Sequence, residues 1–261
     1  VFNLNCSGWD MTYLLNFISD HNKKFSYAAS TGKSNFSEEE IQIFQNELPK
    51  FSHISLRENE AAIELKQKLQ GLPPISINMD PTFLIARSDW EELASESKLY
   101  FSDYVFGYFI FYDEDLLRCA DRYAASHNLS LILVYKPKID FRYLSKKVII
   151  IGTSGPQDWL KVAMNATVVF TNSFHGLAFS IIFHKDFYVS YPRIEALSNL
   201  KMRLSHLLCL AKLTERLIDY VPEGYRFKEL PKIDFLPIDK ELNKEISKSK
   251  SYLNEIIKNY D

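Results

Sequence analysis

Residues 170–183, FTNSFHGLAFSIIF, place a short polar loop between two apolar runs. Within this loop His175 can accept or donate a proton near neutral pH, and Asn172 and Ser173 add side-chain donors. The apolar run that follows predicts a helix from Gly176, whose first N–H groups together carry roughly half a positive charge. The loop is therefore a candidate site for an anion beside a proton-transfer group. The alternative, that Asn172 or Ser173 only caps the helix and His175 is a turn histidine, stays open.

A second loop with unusual content is GTSGPQDW, which follows the apolar run 147–151. Gly155 allows close approach of the backbone to a ligand, and Pro156 suits the first position of a helix. Both loops follow predicted strands and precede predicted helices. We therefore expect them at one edge of a sheet, where open α/β sheets bind ligands.

The elements that must position these loops form an alternating series of strands and helices. Continuous apolar strands of this kind are covered on both faces, which predicts a parallel sheet flanked by helices. The predicted strands are 104–111, 130–135, 147–151, 167–171 and 186–190, and the predicted helices are 113–126, 157–165 and 176–183.

The first part of the chain shows the same alternation, which is typical of the α/β class. Ser37 is predicted to cap a helix whose first turn is acidic, and residues 87–98 are short, polar and predicted as a linker. The remaining predicted elements are strands at 24–29, 53–56 and 75–79, and helices at 57–70, 198–211 and 240–260.

Composition limits the partners of this chain. Its 261 residues are 46% hydrophobic and 25% charged with a net charge of −2, so no strong field favours nucleic acid. Three widely spaced cysteines argue against a disulfide framework or a zinc site, and favour a reducing, cytoplasmic compartment. We expect no metal, because the carboxylates do not cluster at ligand spacing and no HxH occurs, and we expect no membrane span. The chain begins at Val1 inside what reads as structured sequence, so we expect its natural N-terminus to be missing.

The segment TNSFHGLAFSIIFHKDFYV, preceded by GPQDWLKVAMNATVV, resembles the C-terminal signature of the polysaccharide pyruvyl transferase family. Further matches follow the order expected for that family: FSYAASTG at 25–32, SLRE at 55–58 and DPT at 80–82. The opening VFNL resembles the segment just after a glycine, serine and aspartate motif that this chain lacks. The resemblance covers nearly the whole chain and is most specific at SFHG.

The resemblance implies a GT-B-like α/β fold, with two Rossmann-like domains facing a cleft and the first incomplete here. The implied domains are 1–98, the remainder of the N-terminal domain with a linker; 99–235, the C-terminal domain with the donor site; and 236–261, a helix packing back on the body. The implied reaction transfers a pyruvyl group from phosphoenolpyruvate to sugar hydroxyls, forming a cyclic ketal in exopolysaccharide or capsule biosynthesis. Phosphoenolpyruvate is then a donor substrate, and no cofactor is implied. A lipid-linked acceptor and peripheral membrane association stay open.

By the same resemblance His175 would be the general acid or base, since a free imidazole has a pKa of about 6.5. Arg57 would clamp a donor anion, because a guanidinium matches two oxygens at once. The alternative for Arg57 is a salt bridge to Glu58 or Glu60, and Asp80 is expected to form a turn between the domains. The predicted substrate-binding residues are Asn172, Ser173, Phe174, Gly176, Gly155 and Arg203.

Two other functions stay open at this point. A glycosyltransferase using a sugar nucleotide would hold its diphosphate at the same helix start. A non-catalytic relative would bind a saccharide or phosphometabolite without turnover, although the intact SFHG segment argues against this. The loop after the 104–111 strand lacks a glycine, which speaks against that loop cradling phosphate.

Overall fold

The computed structural model describes residues 2–5, 7–20, 23–134, 144, 147–152, 154–191, 198–218, 220–221, 224–225 and 227–258. Cys6 and two predicted element ends, Tyr135 and Tyr260, lie outside these residues. The helices are α1 Glu38–Glu47, α2 Asn59–Lys68, α3 Arg87–Ser95, α4 Glu114–Ser126, α5 Pro156–Asn165, α6 Phe174–Ile182, α7 Ser198–Leu210 and α8 Phe235–Lys258. The strands are β1 Ile54–Leu56, β2 Ile75–Ile77, β3 Tyr104–Tyr108, β4 Ser130–Leu133, β5 Val148–Ile150, β6 Val168–Thr171, β7 Asp186–Val189, β8 Tyr220–Val221 and β9 Gly224–Tyr225.

The chain divides into two compact units. The first unit comprises residues 1–84, 196–206 and 240–261, and the second comprises residues 85–195 and 207–239. Each unit contains parallel strands connected through helices, so the predicted α/β class is confirmed.

The second unit contains a parallel sheet in the order β5-β4-β3-β6-β7. From the central strand β3, the chain adds β4 and β5 on one side. It then crosses back and adds β6 and β7 on the other side of β3. The inner strands β3, β4 and β6 are almost wholly buried, which matches their continuous apolar sequences. The edge strand β5 is only partly buried because it has one neighbour.

The first unit pairs β1 with β2 in parallel, with Ile54 opposite Ile75. The predicted strand 24–29 is present only as two parallel bridges to the β1 region, made by Phe25 and Ala29. Ala28 between them has a φ of 42°, a left-handed conformation that interrupts regular pairing. The strand predicted as continuous over residues 24–29 is therefore interrupted.

The predicted start of α1 is confirmed. The Ser37 side chain accepts from the Glu40 amide at 3.2 Å, and the Glu40 carboxylate accepts from the Ser37 amide at 2.8 Å. This reciprocal pair is a capping box, which satisfies two amides that the helix itself leaves without partners.

Residues 87–98 differ from the prediction, because most of them form α3 instead of a linker. The helix is polar on most faces, which is why its sequence reads as a loop. Its partly buried Trp90 contacts the Phe179 ring of α6 with ring centroids 5.0 Å apart, and Phe179 also contacts Trp159 of α5 at 5.3 Å. This aromatic contact helps to hold α3 in the second unit, together with the buried Ala94 and the bond from the Ser97 hydroxyl to Asp158 of α5.

Removal of the Phe179 ring should destabilise the second unit. Phe179 is 7% exposed, so Phe179→Ala should lower the free energy of unfolding by about 3 to 5 kcal/mol. Denaturant unfolding followed by tryptophan fluorescence measures this, since Trp90 and Trp159 both lie beside the deleted ring. Phe17→Ala, which truncates a ring that is 64% exposed, is the matched control. Equal losses in the two variants would contradict the packing described.

Candidate active site

The order of the strands in the second unit reverses between β3 and β6, which are neighbours. In open α/β sheets the loops leaving two such strands diverge, and ligands bind in the crevice at their carboxyl ends. The loop after β6 is the one that carries His175. The position of this residue is therefore set by the topology as well as by its local sequence.

The hydroxyl of Thr171 fixes the start of α6 above this crevice. It donates to the carbonyl of Tyr108 on β3 at 2.6 Å and accepts from the amide of Ser173 at 3.0 Å. A Cβ atom on Gly176 would lie 2.2 Å from this hydroxyl oxygen and 2.9 Å from the Thr171 Cβ. Gly176 was predicted to leave room for a ligand, but its missing side chain leaves room for Thr171.

Asn172 ties the two loops at the crevice together. Its buried side chain accepts from the Ile110 amide at 2.9 Å and donates to the Phe111 carbonyl at 3.0 Å. Both ends of the amide group therefore bind the loop after β3. Direct contact between Asn172 and a ligand stays a prediction, whereas its role in joining the loops is visible.

A second tie joins the loop after β3 to the end of β7. The buried Asp113 carboxylate accepts from the Leu116 amide at 3.1 Å, which caps α4, and from the Ser190 hydroxyl at 2.9 Å. The Ser190 amide in turn donates to the Thr171 carbonyl at 3.2 Å. The sequence analysis did not single out Asp113 for this role, although an aspartate directly before a helical run is a common capping signal.

Ser173 is the N-cap of α6, so the helix begins at Phe174, two residues before the predicted start. The Ser173 hydroxyl accepts from the Gly176 amide at 3.3 Å. That amide was predicted to hold the donor anion, but it bonds within the loop. The capping interpretation of Ser173 is therefore correct. A cap at Ser173 is compatible with a chemical role for His175.

His175 is exposed at the second position of α6. The Phe174 ring beside it is partly buried and lies edge-on to the imidazole, with centroids 5.4 Å apart. The imidazole is thus presented to solvent at the positive end of the helix dipole. An exposed titratable group on a rigid helix end is the arrangement that proton transfer to a bound anion requires.

Gly155 lies at the same sheet edge but not at the crevice. It precedes α5 and follows β5, which is three strand positions from β6, about 14 Å at the usual spacing of strands. Its amide donates to the Asp158 carboxylate at 3.4 Å, which helps begin α5. Ligand binding by Gly155 stays a prediction.

Arg57 belongs to the first unit, where it directly follows β1. Its guanidinium forms an ion pair with the buried Asp80, which follows β2. The expected salt-bridge partners, Glu58 and Glu60, were wrong. The Glu58 carboxylate is buried and accepts from the Ser30 hydroxyl at 2.5 Å and the Thr31 amide at 3.2 Å.

Asp80 also forms the turn that the sequence predicts. Its second carboxylate oxygen accepts from the Thr82 amide at 3.0 Å and from the Thr82 hydroxyl at 2.8 Å. These bonds begin the 3₁₀ helix Pro81–Phe83, just before the end of the first segment of the first unit at Leu84. One carboxylate therefore both shapes this turn and orients Arg57.

Two further residues of the first unit bear on a ligand site. Asn78 is 5% exposed, and neither side-chain polar atom has a hydrogen-bond partner among the described residues. Sequence analysis missed Asn78, because its neighbours read only as a strand end. Arg203, a predicted ligand residue, lies in the part of α7 that belongs to the first unit.

The described residues contain no group of three or more His, Cys, Asp or Glu side chains arranged to hold a metal ion. Among the same residues, no helix combines the length and apolar character needed to cross a bilayer. Cys119 is buried and Cys209 is exposed, and neither forms a disulfide within the described part of the chain.

A sequence profile described as "Polysaccharide pyruvyl transferase" matches residues 4–191. This match covers more than half of the chain and includes Arg57, Asp80 and His175. The chain belongs to the polysaccharide pyruvyl transferase family.

Comparison with solved structures includes a match to the UDP-GlcNAc 2-epimerase of Methanocaldococcus jannaschii in complex with UDP-GlcNAc and UDP. The match has 12% sequence identity and a TM-score of 0.42, and it covers 75% of this pyruvyl transferase family member. The chain spans only 61% of the length of the epimerase. A comparison with curated proteins finds no match.

The close approach of Gly176 to Thr171 predicts the cost of adding one methyl group. Gly176→Ala should lower the free energy of unfolding by about 1 to 3 kcal/mol, because the Thr171 side chain is held on both sides and cannot move away. Gly152→Ala is the matched control, since its Cβ would meet no atom within 4 Å among the described residues. Denaturant melts of the two variants give the comparison. A Gly176→Ala variant as stable as the control would show that the loop adjusts freely.

Proposed function

We propose that this protein transfers a pyruvyl group from phosphoenolpyruvate to a pair of hydroxyls on a saccharide, forming a cyclic ketal and releasing phosphate. One observation carries the proposal: His175 is exposed at the start of α6, within the segment that matches the family. The saccharide acceptor is supported by the family description. Phosphoenolpyruvate as donor is supported by the chemistry that His175 can perform.

The reaction needs a proton on carbon before it needs a nucleophile. Protonation of the methylene carbon of phosphoenolpyruvate creates a methyl group and leaves an oxocarbenium-like centre at the adjacent carbon. One hydroxyl attacks this carbon and loses its proton to His175, and the bond between this carbon and the phosphate oxygen then breaks. A second hydroxyl attacks the same carbon and closes the ring, and its proton leaves on the released phosphate. His175 supplies the first proton and accepts one from an attacking hydroxyl, so the imidazole returns to its starting state.

The charge of the donor suits the start of α6. Phosphoenolpyruvate carries a carboxylate and a phosphate, and the aligned peptide dipoles place positive potential where His175 is presented. The same field favours departure of phosphate, because negative charge grows on the leaving oxygens as the bond breaks. Phe174, Ser173 and Asn172 hold the helix start in place through the packing and bonds described above.

Arg57 is the proposed clamp for the donor anion, and its pairing with Asp80 suggests how it works. A buried carboxylate that binds one part of the guanidinium fixes the direction of the remaining donors. Arg203 is a weaker candidate for the same task.

The broader setting is also part of the proposal. We assign the reaction to assembly of a surface polysaccharide, such as a capsule or exopolysaccharide, in the cytoplasm on a free or lipid-linked acceptor. The family description supports the polysaccharide link.

Replacement of His175 should stop the chemistry and spare the fold. His175→Ala should reduce phosphate release from phosphoenolpyruvate in the presence of acceptor by about 10²- to 10⁴-fold, because the proton donor is lost. The unfolding midpoint should stay unchanged, since the side chain is exposed. His206→Ala on α7 is the matched control. Retained activity in the His175 variant would contradict its assignment, and release of nucleotide from a sugar nucleotide instead would favour glycosyl transfer.

Replacement of Arg57 by lysine should separate clamping from folding. Arg57→Lys keeps the charge beside Asp80 but loses the planar fork, so KM for phosphoenolpyruvate should rise about tenfold or more. Arg57→Ala should instead destabilise the fold by about 3 to 5 kcal/mol, because it leaves Asp80 buried without its ion partner. Steady-state kinetics and thermal unfolding distinguish the two. An unchanged KM in the lysine variant would assign Arg57 to structure alone.

A further inference from the structure

A cavity of about 390 Å³ lies in the second unit at the amino ends of β6 and β7. The crevice with His175 lies at the carboxyl ends of the same parallel strands, so the cavity opens at the opposite edge of the sheet. Its volume falls in the range of small-molecule sites, roughly 300 to 1,000 Å³. Its walls come from the turn after α6, the start of β6 and the segment 229–235.

Cationic side chains without counter-ions line this cavity. Lys185 and Lys232 face it, and neither forms an ion pair within the described part of the chain. The two carboxylates of the walls already have partners. Asp186 accepts from the Ile233 amide at 2.8 Å and lies 3.8 Å from the Arg216 guanidinium, and Glu229 lies 3.2 Å from the His127 imidazole. The net excess of unpaired charge is therefore positive.

Lys185 is only partly exposed, which makes its charge costly. Burial lowers the pKa of its ammonium group, and the neighbouring Arg87 lowers this pKa further. An anion placed against Lys185 would reverse both effects, because it would replace lost hydration and offset the repulsion from Arg87. The site is thus electrostatically incomplete as it stands.

Aromatic rings form another part of the wall. The Phe235 ring stacks on the His184 imidazole with centroids 4.7 Å apart, and His184 is held by Asp239 at 3.0 Å. The Arg216 guanidinium lies over the buried Tyr188 ring, 5.6 Å from the ring centroid. The Tyr188 hydroxyl accepts a hydrogen bond from the Leu230 amide. Tyr188 is only 3% exposed, so Phe235 and the His184 imidazole stacked on it supply the flat surface that the cavity offers to a ligand.

We propose that this cavity binds a small organic anion, with its carboxylate or phosphate against Lys185 and Lys232 and a flat apolar body against the rings of Phe235 and His184. The site is separate from the edge that carries His175 and does not depend on the proposed transfer reaction. It also does not rest on any single charged residue, since the cavity, the two lysines and the rings are independent features.

Phenyl phosphate tests the proposal, because it combines a flat ring with a dianionic group. Isothermal titration calorimetry should detect its binding to the whole chain. The double variant Lys185→Ala/Lys232→Ala should bind at least about tenfold more weakly, the effect of one lost charge-assisted bond. Lys98→Ala, which removes an exposed lysine of the same unit outside the cavity, should bind like the wild type. Benzyl alcohol, which has the ring without the charge, should show no difference between these proteins.

Two further arms keep the test decisive. Lys232→Glu reverses an exposed charge without disturbing the core, and it should abolish phenyl phosphate binding even if the double variant folds poorly. His175→Ala should bind phenyl phosphate as the wild type does. Binding that is lost in the His175 variant would place the anion at the other edge and overturn the proposal. Binding that is absent from the wild type, or unaffected by removal of the lysines, would overturn it equally.

Discussion

The Thr171 hydroxyl is the interaction on which the candidate site depends. It lies at the end of β6, bonds to the neighbouring strand β3 and accepts the amide of the residue that caps α6. Gly176 packs against the same side chain from above. One hydroxyl thus fixes the distance between the sheet and the helix that presents His175, and Asn172 then locks the adjacent loop onto this arrangement. The His175 imidazole is therefore carried by a helix start whose position the sheet fixes.

In the first unit, polar side chains at the carboxyl ends of β1 and β2 likewise bond to one another and to nearby backbone groups. Asp80 orients Arg57 while it begins a 3₁₀ turn, and Glu58 gathers the hydroxyl and amide of the segment 30–31. These side chains convert the ends of parallel strands into one bonded edge. Asn78 stands apart, because its buried side-chain amide has no hydrogen-bond partner among the described residues, and burial without a partner is costly.

Most of the fold could be predicted from the sequence. Buried parallel strands give continuous apolar runs, and Ser37 followed by acidic residues indicates the start of a helix. The predictions failed where tertiary contacts overrule local pattern. The helix α3 is polar and reads as a linker until the contact of Trp90 with Phe179 is known. The strand 24–29 is interrupted at Ala28, which has a left-handed backbone conformation. This conformation is rare for alanine, so the sequence does not predict it.

The local structure around His175 was predicted in outline, because the residues around it indicated a helix start and α6 begins there. The chemical roles assigned to these residues stay predictions. The partners of Asn172 and Gly176 could not be read from the sequence, because they lie about 60 residues away or depend on a distance of a few ångströms. Likewise, Arg57 pairs with a carboxylate that follows the neighbouring strand, not with the acidic residues beside it in the chain.

The side-chain bonds of Asn172 have a consequence for how relatives of this protein can diverge. A loop whose amide group must meet two backbone groups of another loop tolerates neither insertion nor deletion, because a shift of one residue would strand buried donors and acceptors at once. We therefore expect the lengths of these two loops to vary little among relatives of this protein.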